Sequence, residues 1–324
     1  MTLLVQISML SVGLVLLVLG AEALVRGAVR LAASLGLPSL VIGLTVVAFG
    51  TSAPELVTSV RAALAGSPDI AIGNVLGSNV ANILLILGVT AAIRPVPVQR
   101  SVLVHDTPMM IGVTIFAIAL MLPWGGEAVL TRLDGVLLTA GIVLFILHSY
   151  LRGKRDPRLA AEVEEHEAEV EGPPMPLWRS VVFVVVGSVM LAGGAELLVR
   201  GASGIARGLG VPEMVIALTM VAFGTSVPEL AASVAAALRR STAIAVGNVI
   251  GSNIFNLLGV LGPTALITSV GVSGDAVSRD VWVVLGVALL CVPIFASRRR
   301  IGRAEGVGMF ALYCGYIAWL YMSG

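Results

Sequence analysis

VVAFGTSAPEL at residues 46–56 returns as MVAFGTSVPEL at residues 220–230. The same spacing of 174 carries GAEALVRGA (20–28) onto GAELLVRGA (194–202), and GNVLGSNVAN (73–82) onto GNVIGSNIFN (247–256). Residues 20–89 align with 194–263 without a gap, and about 43 of the 70 positions are identical. That is far above chance at one fixed offset, so the chain is one unit duplicated. Asp106 and Asp280 keep the register further along.

Composition says what solvent the unit folds in. Of 324 residues, 57% are hydrophobic and 12% charged, against about 25% charged in an average soluble domain. Mean hydropathy is +1.01. A soluble globule of this size has too little interior for so much apolar surface, so the lipid bilayer is the solvent for most of the chain. A soluble enzyme, a nucleic-acid binder and a disordered protein are excluded. Cys291 and Cys314 both lie in apolar stretches and read as buried, inert thiols, with no disulfide framework. The N-terminal apolar run lacks the basic leader of a signal peptide and matches a segment of the second half, so it reads as a membrane helix.

Each unit holds five apolar stretches long enough to span. They lie near 3–25, 38–64, 69–92, 102–122 and 130–151, then near 178–199, 212–238, 243–268, 280–297 and 305–322. The expected fold is an all-α integral membrane protein of ten transmembrane helices, a first repeat at 1–151 and a second at 178–324. A polar linker at 152–177 joins them, with a glutamate-rich run at Glu162, Glu164, Glu165, Glu167, Glu169 and Glu171. An odd number of spans per unit makes the second repeat enter from the opposite side. Inverted repeats of this kind build many secondary transporters, with the site at the midplane between them. With the N-terminus outside, fifteen of the twenty lysines and arginines fall to inside segments. The positive-inside rule then puts both termini outside and the linker in the cytoplasm, in a cell's inner (plasma) membrane.

The chemistry sits in GTSAPE (50–55) and GTSVPE (224–229). Glu55 and Glu229 fall near mid-span, where an acid costs about 3 kcal/mol even on the gentler insertion scales; a bound cation offsets that cost. Pro54 and Pro228 remove an N–H and clash with the carbonyl four residues back, at Gly50 and Gly224, so each helix is expected to kink or unwind there and offer carbonyls. Thr51 shares a helical face with Glu55, and Thr225 with Glu229; Ser52 and Ser226 border it. These are hard oxygen donors, suited to Ca²⁺ or Na⁺. Asn74, Ser78 and Asn82 form a stripe spaced by four, repeated as Asn248, Ser252 and Asn256. The spacing leaves open whether the stripes bind ions or make interhelical hydrogen bonds. Gly73, Gly77, Gly247 and Gly251 are expected to allow close helix approach. Glu22 and Glu196 stand four before Arg26 and Arg200 and read as ion pairs along a helix. Asp106 and Asp280 stand near helix starts and read as caps or as partners of the helix dipole.

With the paired G-T-S-x-P-E and G-N-x-x-G-S-N blocks, the chain resembles the cation/Ca²⁺ exchanger superfamily, in its sodium/calcium exchanger branch. The matching alpha repeats are 38–89 and 212–263. The resemblance implies a Na⁺/Ca²⁺ antiporter, or alternatively an H⁺/Ca²⁺ antiporter on the same carboxylates. It implies alternating access by sliding of the first helix of each repeat, about 3–34 and 178–208. Glu55 and Glu229 are implied as central ligands, with oxygens from Thr51, Ser52, Thr225 and Ser226, carbonyls from Ala48 and Ala222, and Ser78, Asn82, Ser252 and Asn256 from neighbouring helices. Several prokaryotic and potassium-dependent relatives carry aspartate where this chain has Asn256, which argues against potassium dependence. The linker is too short for the Ca²⁺-sensing insert of animal exchangers. The expected partners are inorganic cations and lipid, with no nucleic acid and no cofactor, and the chain is expected to act as a monomer. An intramembrane hydrolase would need a metal-ligating histidine or a nucleophile–base pair, and the sequence offers neither.

Overall fold

The computed structural model describes residues 2–124, 126–155, 176–209 and 222–323. The glutamate-rich run and the opening of the second alpha repeat, 212–221, lie outside the described residues. Helices dominate: α1 (Leu3–Leu35), α2 (Ser39–Leu64), α3 (Pro68–Ile93), α4 (Val102–Met121), α5 (Arg132–Arg155), α6 (Leu177–Gly208), the short α7 (Ala222–Thr225) and α8 (Val227–Leu238), α9 (Thr242–Ile267), α10 (Ala276–Arg298) and α11 (Arg303–Ser323). Eight of them, α1 to α6, α9 and α10, are long and apolar enough to cross a membrane. In lipid every backbone polar group must be satisfied internally, and helices do this segment by segment.

The first helix runs ten residues beyond the apolar span near 3–25 and matches the extent of about 3–34 that the resemblance implies. Gly36 stops it in the left-handed conformation (φ 57°), with the Leu37 N–H donating to the Ala32 carbonyl at 2.9 Å. Pro38 then precedes α2. The centre is built from α2, α3, α8 and α9; α9 is almost wholly buried, whereas α1 and α6 show most of their surface to the outside. A large apolar core joins α3 and α9 to α4, α5 and α10. A second, separate cluster joins α1 and α6 to α8, Ile42 and Val47.

Glycines spaced by seven seam α1 to α6. A Cβ on Gly13 would stand 2.8 Å from the Gly194 carbonyl oxygen, and one on Gly194 would stand 2.9 Å from that of Gly13. Gly20 meets Gly187, Gly27 meets Ser180, and Gly201 meets Gln6. The pairs run in opposite order along the two helices, so these pack antiparallel with their backbones nearly touching. Small residues allow such approach in lipid.

Contacts recur with their partners exchanged. Two-residue strands β1 (Val96–Pro97), β2 (Val129–Leu130), β3 (Val270–Gly271) and β4 (Arg300–Ile301) pair antiparallel as β1 with β4 and β2 with β3. The Val98 N–H donates to the Arg299 carbonyl, and the Val272 N–H to the Ala128 carbonyl, both at 2.8 Å. Gly88 packs on Gly306, and Gly262 on α5 at Leu138 and Thr139.

Three expectations are corrected. The α2 helix does not break at Pro54 but continues through it. Its irregularity lies earlier, where Gly43–Val47 forms a π-helical turn that inserts a residue into the ladder. Asp106 makes no capping bond; it is buried and ion-paired with Arg152 of α5 at 2.7 Å, and Asp280 pairs with its neighbour Arg279 at 2.8 Å. Cys291 is buried as expected, but Cys314 on α11 faces outward.

The seam makes a prediction. Gly187→Ala, whose Cβ would meet the Gly20 carbonyl at 2.8 Å, should lower stability by about 1–3 kcal/mol through overpacking. Gly193→Ala on the same helix has nothing within 4 Å and should raise it by about 0.5–1 kcal/mol. Thermal melts of the two variants in one detergent, followed by circular dichroism, measure both.

Candidate functional site

The two motif segments meet at the centre of the molecule. Glu55 and Glu229 are both buried, with relative exposures of 0% and 1%, and Ser52, three residues before Glu55, donates to Glu229 Oε1 at 3.2 Å. The helix carrying Glu229 breaks where expected: α7 ends at Thr225, Ser226 sits at φ −89° and ψ 0°, and α8 starts at Val227 with Pro228 in its first turn. Pro in the first turn loses no helical hydrogen bond. Glu229 thereby lies in the first turn of α8, where exposed N–H groups favour negative charge.

Asparagine amides hold the glutamate backbones. Asn74 Nδ2 donates to the Ser59 hydroxyl (3.0 Å) and to the Glu55 carbonyl (3.3 Å). Asn248 Nδ2 donates to the Ser233 hydroxyl (3.0 Å) and to the Glu229 carbonyl (3.4 Å). Each amide also reaches across. The Thr51 hydroxyl lies 3.2 Å from Asn248 Oδ1, and the Thr225 hydroxyl 3.3 Å from Asn74 Oδ1. Thr51 has two further acceptors, the Val47 carbonyl (3.2 Å) and the Ala48 carbonyl (3.3 Å), for its single proton.

The serines break this reciprocity. Ser52 donates to Glu229 Oε1 at 3.2 Å, whereas Ser226 donates to the Ser78 hydroxyl at 3.4 Å. Deeper between α3 and α9, Asn256 Nδ2 donates to Asn79 Oδ1 (3.0 Å) and Asn79 Nδ2 to the Asn253 carbonyl (3.2 Å). Of the expected site residues, Thr51, Ser52, Glu55, Ser78, Thr225, Ser226 and Glu229 are thus joined by contact. Ala48 is buried and its carbonyl faces Thr51. Ala222 opens α7.

Both Glu55 oxygens, Glu229 Oε2, both Asn82 amide atoms, the Ser252 hydroxyl and Asn256 Oδ1 are buried without a hydrogen-bond partner among the described residues. Buried polar atoms in native proteins are nearly always satisfied. These atoms, almost all of them oxygens, are of the kind that suits a hard cation.

Ser59, Ser233 and Asn79 were missed by reasoning from the motifs. The first two had a signal: each stands four residues after its glutamate, on the same helical face. Gly247 behaves as expected, since its Cβ would meet the Leu40 carbonyl of α2 at 2.7 Å. Gly73 and Gly77 have nothing within 4 Å among the described residues. The positions that correspond to Leu40 and Leu44 at the 174 offset, 214 and 218, lie outside those residues.

Residues 5–151 and 179–322 match the sequence profile of the family described as "Sodium/calcium exchanger protein". The chain belongs to the sodium/calcium exchanger protein family. Sodium/calcium exchanger MaX1 of Methanosarcina acetivorans is 31% identical, covering 98% of this chain and 99% of its own. Inner membrane protein YrbG of Escherichia coli is 37% identical, covering 97% and 95%. The solved sodium-calcium exchanger NCX_Mj, soaked with 10 mM Na⁺ and zero Ca²⁺, superposes with a TM-score of 0.82 at 34% identity, covering 98% of this chain and 99% of that one. Family and fold together support a multi-pass cation/Ca²⁺ antiporter.

In this exchanger, Asn248→Ala should leave the Glu229 carbonyl and the Ser233 and Thr51 hydroxyls short of partners, at about 1–3 kcal/mol. A double-mutant cycle with Thr51→Val, read from thermal melts, should be non-additive by about 0.5–3 kcal/mol.

Proposed function

We propose that this exchanger moves Ca²⁺ against Na⁺ by alternating access, at a midplane site built on Glu55 and Glu229. The observation that carries the reading is the pair of buried glutamates, joined through Ser52, with three of four carboxylate oxygens unpartnered among the described residues. Around them the hydroxyls of Thr51, Ser52, Thr225, Ser226, Ser78 and Ser252, the amides of Asn82 and Asn256, and the carbonyls of Ala48 and Ala222 complete the coordination. The same reading has ten spans in two inverted repeats, 1–151 and 178–324, α7 and α8 being the described part of one broken span and α11 the last. It has both termini outside, the 152–177 linker in the cytoplasm, and the chain working as a monomer in the plasma membrane.

Charge explains why such a site exchanges instead of leaking. Two ionised glutamates make the site −2. One Ca²⁺ or two Na⁺ neutralise it, and a third Na⁺ leaves +1, so a 3:1 exchange moves net charge. A site stripped of ions would have to enclose two bare anions in a low-dielectric interior, each at several kcal/mol. The empty carrier therefore does not cross, and a loaded one does. Support for Na⁺ as the counter-ion comes from the names of MaX1 and NCX_Mj, both sodium/calcium exchangers, and Asn256, which leaves the site with two acids, argues against potassium dependence.

Glu55→Gln and Glu229→Gln should each abolish Ca²⁺ uptake into proteoliposomes while leaving the melting profile folded; near-normal exchange in either contradicts the ligand assignment. Isotope uptake driven first by a Na⁺ gradient and then by a pH gradient should succeed with the first alone, and proton-driven uptake without Na⁺ would transfer the reading to an H⁺/Ca²⁺ antiporter. Because a proton competes for the same carboxylates, Ca²⁺ uptake should fall as pH is lowered, with a rise in the Ca²⁺ concentration for half-maximal rate.

A further inference from the structure

Away from the glutamates, an apolar crevice of about 550 Å³ lies between α1, α3 and α8. Leu17 and Val18 line one wall, Ile93 another, and Leu230, Val234 and Ala235 a third. Its sides open outward, where Val18, Ile93 and Leu238 are exposed. One end lies beside Val227, next to Ser226 of the central cluster; the other ends at Glu22 and Arg239.

That second end is strongly basic. Glu22 is ion-paired with Arg26 of its own helix at 2.8 Å and with Arg239, whose Nε donates to Glu22 Oε2 at 2.7 Å. Arg94 donates to the Leu238 carbonyl at 3.1 Å, a neutral acceptor, and Arg240 follows in sequence. One carboxylate is thus shared by two guanidiniums, and a third, on Arg94, is held at the end of α8 by a neutral carbonyl. The 174 offset shows that this is no by-product of duplication. Arg94, Arg239 and Arg240 correspond to Thr268, Ala65 and Gly66 in the other unit, none of them charged, although Glu22 has its counterpart in Glu196. Among the described residues Glu196 pairs with Arg200, four residues on along its own helix.

We propose that this crevice is a binding site for an anionic phospholipid, one acyl chain lying between α1 and α8 and the phosphate resting on Arg94 and Arg239. An apolar groove open to hydrocarbon takes a lipid tail, and basic pockets between membrane helices take anionic head groups. Charge complementarity selects the occupant: a zwitterionic lipid fills the groove but gains nothing net at the rim. The lipid would tie α1 to α8, the helix that carries Glu229. The binding claim stands apart from the transport reading.

Native mass spectrometry of the full chain, titrated with palmitoyl-oleoyl phosphatidylglycerol and in parallel with the matching phosphatidylcholine, tests it. The phosphatidylglycerol should bind at least about tenfold more tightly. Arg94→Gln and Arg239→Gln should each weaken that binding about fivefold, from the worth of one guanidinium near the surface. Ala235→Trp, which fills the groove, should abolish it. Arg94→Gln leaves the Glu22 pairs intact, so a loss there is not a loss of the ion pair. Equal affinity for the two lipids overturns the proposal, as does phosphatidylglycerol binding unchanged in Arg94→Gln and Ala235→Trp. Displacement of the lipid by millimolar inorganic phosphate would assign the rim to a free anion instead. A dimer by light scattering that holds no lipid would assign the groove to a second copy of the chain.

Discussion

A carboxylate at the depth of Glu55 or Glu229 has no bulk water to turn to, and the surrounding structure is organised by that fact. The protein could have neutralised the pair with an arginine, but the only partner either carboxylate has among the described residues is the Ser52 hydroxyl on Glu229. What is fixed instead is the backbone. Asn74 and Asn248 hold the glutamate carbonyls, and each is tied to a threonine of the other unit. The carboxylates are held in place and left open, which is a costly arrangement for a structural ion pair and a suitable one for a cargo site.

Nearly identical sequences occupy different settings in the two units. Ser52 bonds to a carboxylate while Ser226 bonds to Ser78; α2 runs unbroken through Pro54 while its counterpart breaks at Ser226. Since the residues are the same, neither setting is forced by local chemistry. On the proposed transport reading, each unit takes the setting of the other in turn. Interchange of two such settings is the physical content of alternating access in a duplicated carrier.

The duplication was legible because 174 is one fixed offset, and it carried the motif segments, the order of the helices and the proline break in α7–α8. Whether Pro54 breaks its helix was not legible: the same G-T-S-x-P-E block runs unbroken in α2 and is interrupted at Ser226, and the π-helical turn at Gly43–Val47 lies outside the motif. The Asp106–Arg152 pair was hidden for another reason. It joins α4 to α5 across 46 residues, outside the aligned blocks 20–89 and 194–263, so no repeat comparison points to it. Ser59 and Ser233 were within reach, because helical spacing alone puts them beneath the glutamates.

The glycine that opens each GTS motif follows from the same geometry. Gly50 lies against Ser188 and Gly224 against Val199, and both of those side chains belong to α6. The α1–α6 pair is seamed backbone to backbone, and its apolar side packs with α8, Ile42, Val47 and the start of α9 in a cluster separate from the larger core on α3 and α9. A side chain at either glycine would interlock with α6, and close-packed interiors yield little to such a change. With only hydrogen there, α6 passes directly over both motif segments, eleven residues apart along one helix. The sequence GTSxPE thus combines two requirements: oxygens that face inward to the centre of the molecule, and a smooth outer surface on which the paired helices rest.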